Sequence, residues 1–234
     1  MPAPDLLVRS AAVRPAAALA SALTADEQAR VARAAPADRD AVAAALLLAR
    51  RAVAQACGVE PGAVRLRRRC GRCGSTEHGV PRAERADGGP VPRVSISRTA
   101  DLVVVALADV PVGVDVERAG TGDAADAGLA AVALADGERP AAGRHGVLRT
   151  WVRKEAVLKA AGTGLGVDPQ TLRVSDAAGR PLVAATGPAA PPDGARWWLT
   201  DLDLGPGHVA ALATALPPGT TPPRDLRVAD LARG

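Results

Sequence analysis

The stretch Gly58-Val59-Glu60-Pro61-Gly62-Ala63-Val64-Arg65-Leu66 returns, class for class, as Gly166-Val167-Asp168-Pro169-Gln170-Thr171-Leu172-Arg173-Val174. Both copies read Gly-Val-acid-Pro, two spacers, then apolar-Arg-apolar. Each follows a helical stretch, Asp40–Ala56 before the first and Arg149–Ala161 before the second. The proline biases its predecessor toward extended backbone, so a helix–turn–strand unit is expected twice. A second echo pairs Leu102–Asp109 with Val209–Ala215, two apolar runs of buried-strand length. Both echoes recur a little over a hundred residues apart. An α+β fold follows, built of two similar halves in a pseudo-twofold arrangement with a ligand cleft between them. The halves are residues 1–110 and 111–234. Chance similarity in an Ala-, Val- and Arg-rich chain is the competing account.

The 234 residues include 48% hydrophobic and 23% charged, ordinary for a globular chain able to bury a core. Within those classes the usage is skewed. There is no Phe, Tyr or Asn, and of 29 basic residues only Lys154 and Lys159 are lysines. The missing residues have AT-rich codons, so the bias reads as a GC-rich genome. The longest apolar run, Ala41–Ala49, is far short of the roughly 20 residues a membrane helix needs. The N-terminal stretch is broken by Arg9 and Arg14 and makes a poor signal peptide. Three cysteines do not make a disulfide framework. A cytoplasmic protein is expected. Its net charge of +4 favours anionic partners without choosing among them.

Helices are predicted near Ala16–Ala22, Asp26–Ala34, Asp40–Ala56, Ala125–Leu134 and Arg149–Ala161. Strands are predicted near Ala63–Arg68, Arg93–Ser97, Leu102–Ala108, Val112–Glu117, Thr171–Ser175, Arg196–Asp203 and Val209–Ala215. Gly71–Pro92, Ala119–Ala127 and Gly187–Gly194 read as loops, and Pro217–Gly234 as a loosely packed tail.

Two motifs carry chemistry. In Gly113-Val114-Asp115-Val116-Glu117, strand alternation puts both carboxylates on one face, with the valines turned into the core. Their Cα atoms would lie roughly 6–7 Å apart, within reach of one cation. Oxygen ligands suit Mg²⁺, which usually shares its site with phosphates. Taken alone, a solvated acidic face on an edge strand is the plainer reading. The second motif, Trp151-Val152-Arg153-Lys154-Glu155-Ala156-Val157-Leu158-Lys159, is a helix with a Gly-rich stop. Trp151, Glu155 and Lys159 share one stripe, and Glu155 with Lys159 would also serve as a surface ion pair. Yet the two lysines of an arginine-writing chain both fall in this helix, and arginine does not reproduce a compact point charge. Together Asp115, Glu117 and Glu155 would hold a divalent metal, with Lys159 beside it to neutralise phosphate oxygens.

These two motifs, in this order and some thirty residues apart, resemble the signature pair of 4′-phosphopantetheinyl transferases. The size and duplication resemble the larger, pseudo-dimeric group typified by the surfactin-synthetase activating enzyme. Further likeness covers most of the chain. Leu23-Thr24-Ala25-Asp26-Glu27 with Arg30 and Arg33 is similar to the family's N-terminal helix. His78-Gly79-Val80-Pro81 stands at its Gly-Lys-Pro loop, and Val94-Ser95-Ile96-Ser97-Arg98-Thr99 at its Ser-His-Ser/Thr strand end.

The resemblance implies transfer of the phosphopantetheine arm of coenzyme A to a serine of an acyl or peptidyl carrier protein, releasing 3′,5′-adenosine bisphosphate. It implies Mg²⁺, with Mn²⁺ as a substitute, on Asp115, Glu117 and Glu155. Glu155 would be the base and Lys159 would steady the pyrophosphate. Coenzyme A contacts would come from Arg30, Arg33, Pro81, Ser97, Arg98, Lys154 and Lys159. Lys154 and Trp151 would also fix the helix against the cleft. A monomer is implied, serving fatty-acid, polyketide or nonribosomal peptide carriers. Two positions depart from the pattern: Arg98 stands for the phosphate-binding His, and Val80 for the loop Lys. Arg98 keeps bidentate phosphate binding, and Arg30, Arg33, Arg82 or the Arg67–Arg69 run would replace the lost charge.

Cys70-Gly71-Arg72-Cys73 with His78 offers three zinc ligands and no clear fourth, so a plain loop with reduced thiols is expected. The run Arg65–Arg72 has no aromatic to stack a nucleic-acid base. A non-catalytic basic module, binding nucleic acid or an acidic protein, is the alternative to a transferase.

Overall fold

The computed structural model describes residues 5–71, 73–120, 123–223, 226 and 228–230, so Arg72 of the cysteine loop lies outside the described residues. The chain divides into two compact units. One holds residues 5–109 and the closing strand at 228–230, the other residues 110–223.

The first unit opens with strand β1 (Leu6–Ala12), then helices α1 (Ala16–Leu19), α2 (Ala25–Arg33) and α3 (Arg39–Cys57). The N-terminus of α2 is fixed by a capping box. Glu27 N donates to Thr24 Oγ1 at 3.3 Å, and Thr24 N to Glu27 Oε2 at 2.9 Å. The other Glu27 oxygen accepts from Arg50 Nε at 2.9 Å, and this buried ion pair ties α2 to α3. Alanine fills most of the buried face of α3, which lets the helix pack close to the sheet. The helix stops at Gly58, whose φ of 63° closes the last turn.

Strands β2 (Val64–Arg69) and β3 (Val80–Arg85) then form an antiparallel ribbon. Next come β4 (Arg93–Arg98) and β5 (Leu102–Ala108). β5 lies between β1 and β4 and is antiparallel to both, with α3 packed against the three.

The second unit also runs from a strand through helices to a ribbon and two further strands. It runs β6 (Val112–Arg118), α4 (Asp123–Ala133), α5 (Gly146–Ala161), β7 (Arg173–Ser175), β8 (Pro181–Ala184), β9 (Arg196–Leu202) and β10 (His208–Leu216). β10 lies between β6 and β9, antiparallel to both, and α5 packs on the sheet. β7 and β8 form a second ribbon. The motif quoted first becomes, in each copy, a proline-led 3-10 turn followed by the first ribbon strand: Pro61–Ala63 before β2, and Pro169–Thr171 before β7. The apolar runs of the second echo are β5 and β10, the central strand of each three-strand set.

Four strands escape the sequence reading. β1 resembles the alanine-rich segments around it. β3 falls inside the stretch Gly71–Pro92 read as a loop, because proline and charge dominate it, and the four residues of β8, led by Pro181, fall in no predicted element. Pro81 is tolerated because a two-stranded ribbon leaves one edge of β3 without a ladder to complete. The supposedly loose tail supplies β11 (Val228–Asp230), which runs parallel to β1. Among the described residues no helix is long and apolar enough to cross a membrane.

Candidate active site

β6 and α5 meet at Gly113. A Cβ there would lie 2.0 Å from Ala156 O and 2.4 Å from Ala160 N, so only glycine permits this crossing. The close approach sets Asp115, two residues on, against the last turn of α5. Lys159 Nζ donates to Asp115 Oδ1 at 2.6 Å, and Asp115 is only 3% exposed.

Gly113, Asp115 and Glu117 therefore share the sheet face that α5 covers. This corrects the expected orientation, in which the valines took the core side: Val114 and Val116 lie on the opposite face, though both are fully buried. The strand is buried on both faces up to Val116 and emerges at Glu117.

Glu155, one turn before Lys159, is half-buried, and its buried Oε1 has no hydrogen-bond partner among the described residues. Burial pushes its carboxyl above the ordinary range. The charges of Asp115 and Glu117 push it further, while Lys159 opposes them. Glu117 is raised for the same reasons, burial first and then Asp115. Glu155 thus feels both other carboxylates, and Glu117 feels Asp115. Their oxygens are not drawn within 4.8 Å of one another, a condition met among the described residues only by Cys70, Cys73 and His78.

α5 is held in this attitude by two ion pairs on its other sides. Lys154, expected among the coenzyme A contacts, is instead fully buried. Its Nζ lies 2.5 Å from Glu138 Oε2 and donates to Pro169 O at 3.0 Å. Burial pushes this amine down, and Glu138 partly restores it. Glu138 also accepts from Ala135 N and Val174 N. Arg153 clamps Asp201 through Nε and Nη2, both at 2.8 Å, and bonds Ser175 and Gly179 through Nη1. Trp151 packs half-buried on the same core. The sequence marked Lys154 and Trp151 but not Glu138 or Asp201, because an acid distant in sequence carries no sign of its partner.

The remaining predicted residues lie in the first unit. Arg30 and Arg33 of α2, with Arg68 of β2 and Thr76 and Glu77 of the β2–β3 loop, line a recess of about 210 Å³. Arg68 is pushed down to about 10, by burial first and then by the charges of Arg30 and Arg98. Arg30 is lowered too, chiefly by burial. Clustered guanidiniums that depress one another are what an anion would relieve. Arg98 ends β4 with its Nη2 at 4.0 Å from Asp38 Oδ1, Ser97 is buried beside it in the chain, and Pro81 is the cross-strand partner of Arg68. Sequence reading named Arg68 only as one of a run. Its alternation with exposed Arg67 and Arg69 is the signal that singles it out.

Residues 111–213 match the family model of the 4′-phosphopantetheinyl transferase superfamily. That span begins one residue before β6 and ends within β10, and it contains Asp115, Glu117, Glu155 and Lys159. Among curated proteins none matches the chain. The superfamily uses coenzyme A and a divalent metal to modify carrier proteins.

Proposed function

We propose that the chain transfers the 4′-phosphopantetheine group of coenzyme A to a serine hydroxyl of an acyl or peptidyl carrier protein, with Mg²⁺, as a cytoplasmic monomer. One observation carries the reading. The Gly113 crossing sets Lys159 on Asp115 and leaves a buried, unpartnered Glu155 oxygen within the electrostatic reach of Asp115 and Glu117, inside the stretch that matches the superfamily.

The donor set fits a hard cation. All three candidate ligands are carboxylates, and burial, followed by the charge of Asp115, raises two of them, which a bound cation would oppose. When bound by Asp115, Glu117 and Glu155, magnesium supplies charge neutralisation to the pyrophosphate of coenzyme A. The ionised Glu155 carboxylate accepts the proton of the attacking serine hydroxyl. The serine Oγ forms the new bond to phosphorus as the bond to the second phosphate breaks, and 3′,5′-adenosine bisphosphate leaves with the electron pair. Lys159 places a compact positive charge where the leaving phosphate gathers negative charge. Arg30, Arg33, Arg68 and Arg98 bind the adenosine 3′-phosphate, with Ser97 and Pro81 positioning the strands that carry them. Lys154 touches no substrate and holds α5 through Glu138.

The test is the intact mass of an apo carrier protein incubated with coenzyme A, Mg²⁺ and the enzyme, with and without chelator. A chelator-sensitive gain of one phosphopantetheine, lost in Glu155→Gln, supports the reading. No gain, with coenzyme A failing to bind, overturns it in favour of a basic binding module whose affinity falls steeply with salt and ignores Mg²⁺.

A further inference from the structure

The loop 70–79 closes the β2–β3 ribbon, whose last paired residues are Arg69 and Val80. Cys70 follows the first and His78 stands two before the second, so both lie at the ribbon's end. Gly79 makes the approach close. Its φ is 101°, and a Cβ there would fall 2.4 Å from the carbonyl of Arg69 and the nitrogen of Cys70. Cys73 is brought back by a turn in which Gly74 N, on a backbone with φ 71°, donates to Cys70 O at 2.9 Å. Cys70 N in turn donates to Ser75 O at 2.9 Å. The three ligand atoms end within 4.8 Å of one another, with Cys73 Sγ 3.4 Å from His78 Nε2.

We infer that Cys70, Cys73 and His78 bind a zinc ion. Zinc–sulfur and zinc–nitrogen bonds of about 2.3 and 2.0 Å, at a tetrahedral angle, separate the two ligand atoms by roughly 3.5 Å. The Cys73–His78 pair already stands near that spacing. Two thiolates and an imidazole are soft enough to choose zinc over the hard cation expected at the carboxylates. The thiolates cancel the ion's charge, so it adds no net charge beside the arginines of β2. Three protein ligands leave the fourth tetrahedral position to water or another exogenous donor. The loop is also the wall of the arginine recess through Thr76 and Glu77, with Glu77 Oε2 3.6 Å from Arg33 Nη2. The ion would therefore fasten that wall to the ribbon. The site lies outside residues 111–213, and nothing in it depends on coenzyme A.

The test uses the full chain, reduced and stripped of metal, titrated with Co²⁺ and then Zn²⁺. One equivalent of Co²⁺ should give the strong visible bands of a tetrahedral ion and an ultraviolet thiolate-to-cobalt band, both erased by Zn²⁺. Cys73→Ser and His78→Ala should each weaken binding at least tenfold. Glu155→Gln should leave the bands unchanged, since oxygen-bound cobalt has no thiolate band. Circular dichroism identical to the parent chain shows that the variants fold. Absence of the thiolate band, a band of parental intensity and affinity in Cys73→Ser, or a Cys70–Cys73 disulfide that reduction does not convert into a cobalt site would each overturn the assignment.

Discussion

Lys159 Nζ stands 2.6 Å from Asp115 Oδ1 across the crossing of α5 and β6. The carboxylate is nearly buried while the lysine is 28% exposed, so the lysine reaches in from the site to the acid rather than the reverse. Lys159→Ala takes the cation away from that nearly buried carboxylate. It should cost about 1–3 kcal/mol of stability by urea unfolding, and lower kcat for carrier modification roughly a hundredfold, in the range of losing one charge-stabilising donor. Lys159→Arg should restore most of the stability and little of the rate, because a planar fork does not replace a point charge. Equal recovery of both by arginine would assign Lys159 to structure alone.

The crossing itself was legible only in part. Gly113-Val114-Asp115-Val116-Glu117 announced a strand with two acids on one face, and the lysine bias pointed to α5. Which face the acids share was not legible, because alternation does not tell a helix-covered face from its reverse when both are buried. The repeated Gly-Val-acid-Pro segment announced a proline-led turn before a ribbon strand at each of its two places. β3 was hidden by Pro81 and its charges, and β11 by its distance in sequence from β1. Glu138 and Asp201 were invisible for a like reason: their roles come from partners brought up by the fold. The thiols and His78 were visible as types, but only the close pass at Gly79 brings them together.

Gly113→Ala tests the crossing directly. The added methyl meets backbone on α5, which no rotamer change relieves, so strand or helix must shift. A loss of about 1–3 kcal/mol is expected from overpacking, with carrier modification falling at least tenfold as Asp115 and Lys159 part. An alanine variant with parental stability and rate would show that the approach is not required.

The Lys154–Glu138 pair should behave as a buried anchor. Lys154→Met leaves a buried carboxylate without its cation and should cost about 3–5 kcal/mol. Adding Glu138→Gln removes the stranded charge while an amide oxygen still accepts from a backbone N–H, so the double variant should regain stability over the single one. In the variants that fold, the KM for coenzyme A should stay near parental. A selective rise in KM would return Lys154 to the binding residues.

The metal-free site sets a pH dependence. Glu117 and Glu155 titrate above the ordinary carboxylate range in the folded chain, through burial and then Asp115. Between the ordinary and the raised values the folded state holds protons that the unfolded state has lost, so its stability falls as pH rises through that window. With chelator present, Tm should drop over this interval at constant ionic strength. Glu155→Gln should flatten the slope, and Mg²⁺ should raise Tm most at the high-pH end. A slope unchanged in Glu155→Gln would place its origin elsewhere.

Arg68 is lowered to about 10, by burial first and then by the charges of Arg30 and Arg98. A phosphate in the recess would turn that burden into binding energy. Arg68→Ala and Arg98→Ala should each raise the KM for coenzyme A about tenfold, in line with losing a charge-assisted hydrogen bond of roughly 1.5 kcal/mol or more. The same variants should treat 3′-dephospho-coenzyme A almost as the parent does, since that substrate lacks the phosphate they would hold. Without ligand, Arg68→Ala removes a repulsion together with the hydrogen bond Arg68 Nη1 donates to Gly79 O at 3.1 Å, so it should melt close to the parent. Equal losses on both substrates would move the arginines away from the 3′-phosphate, and an earlier melt in Arg68→Ala would make Arg68 a structural cation rather than an anion-binding one.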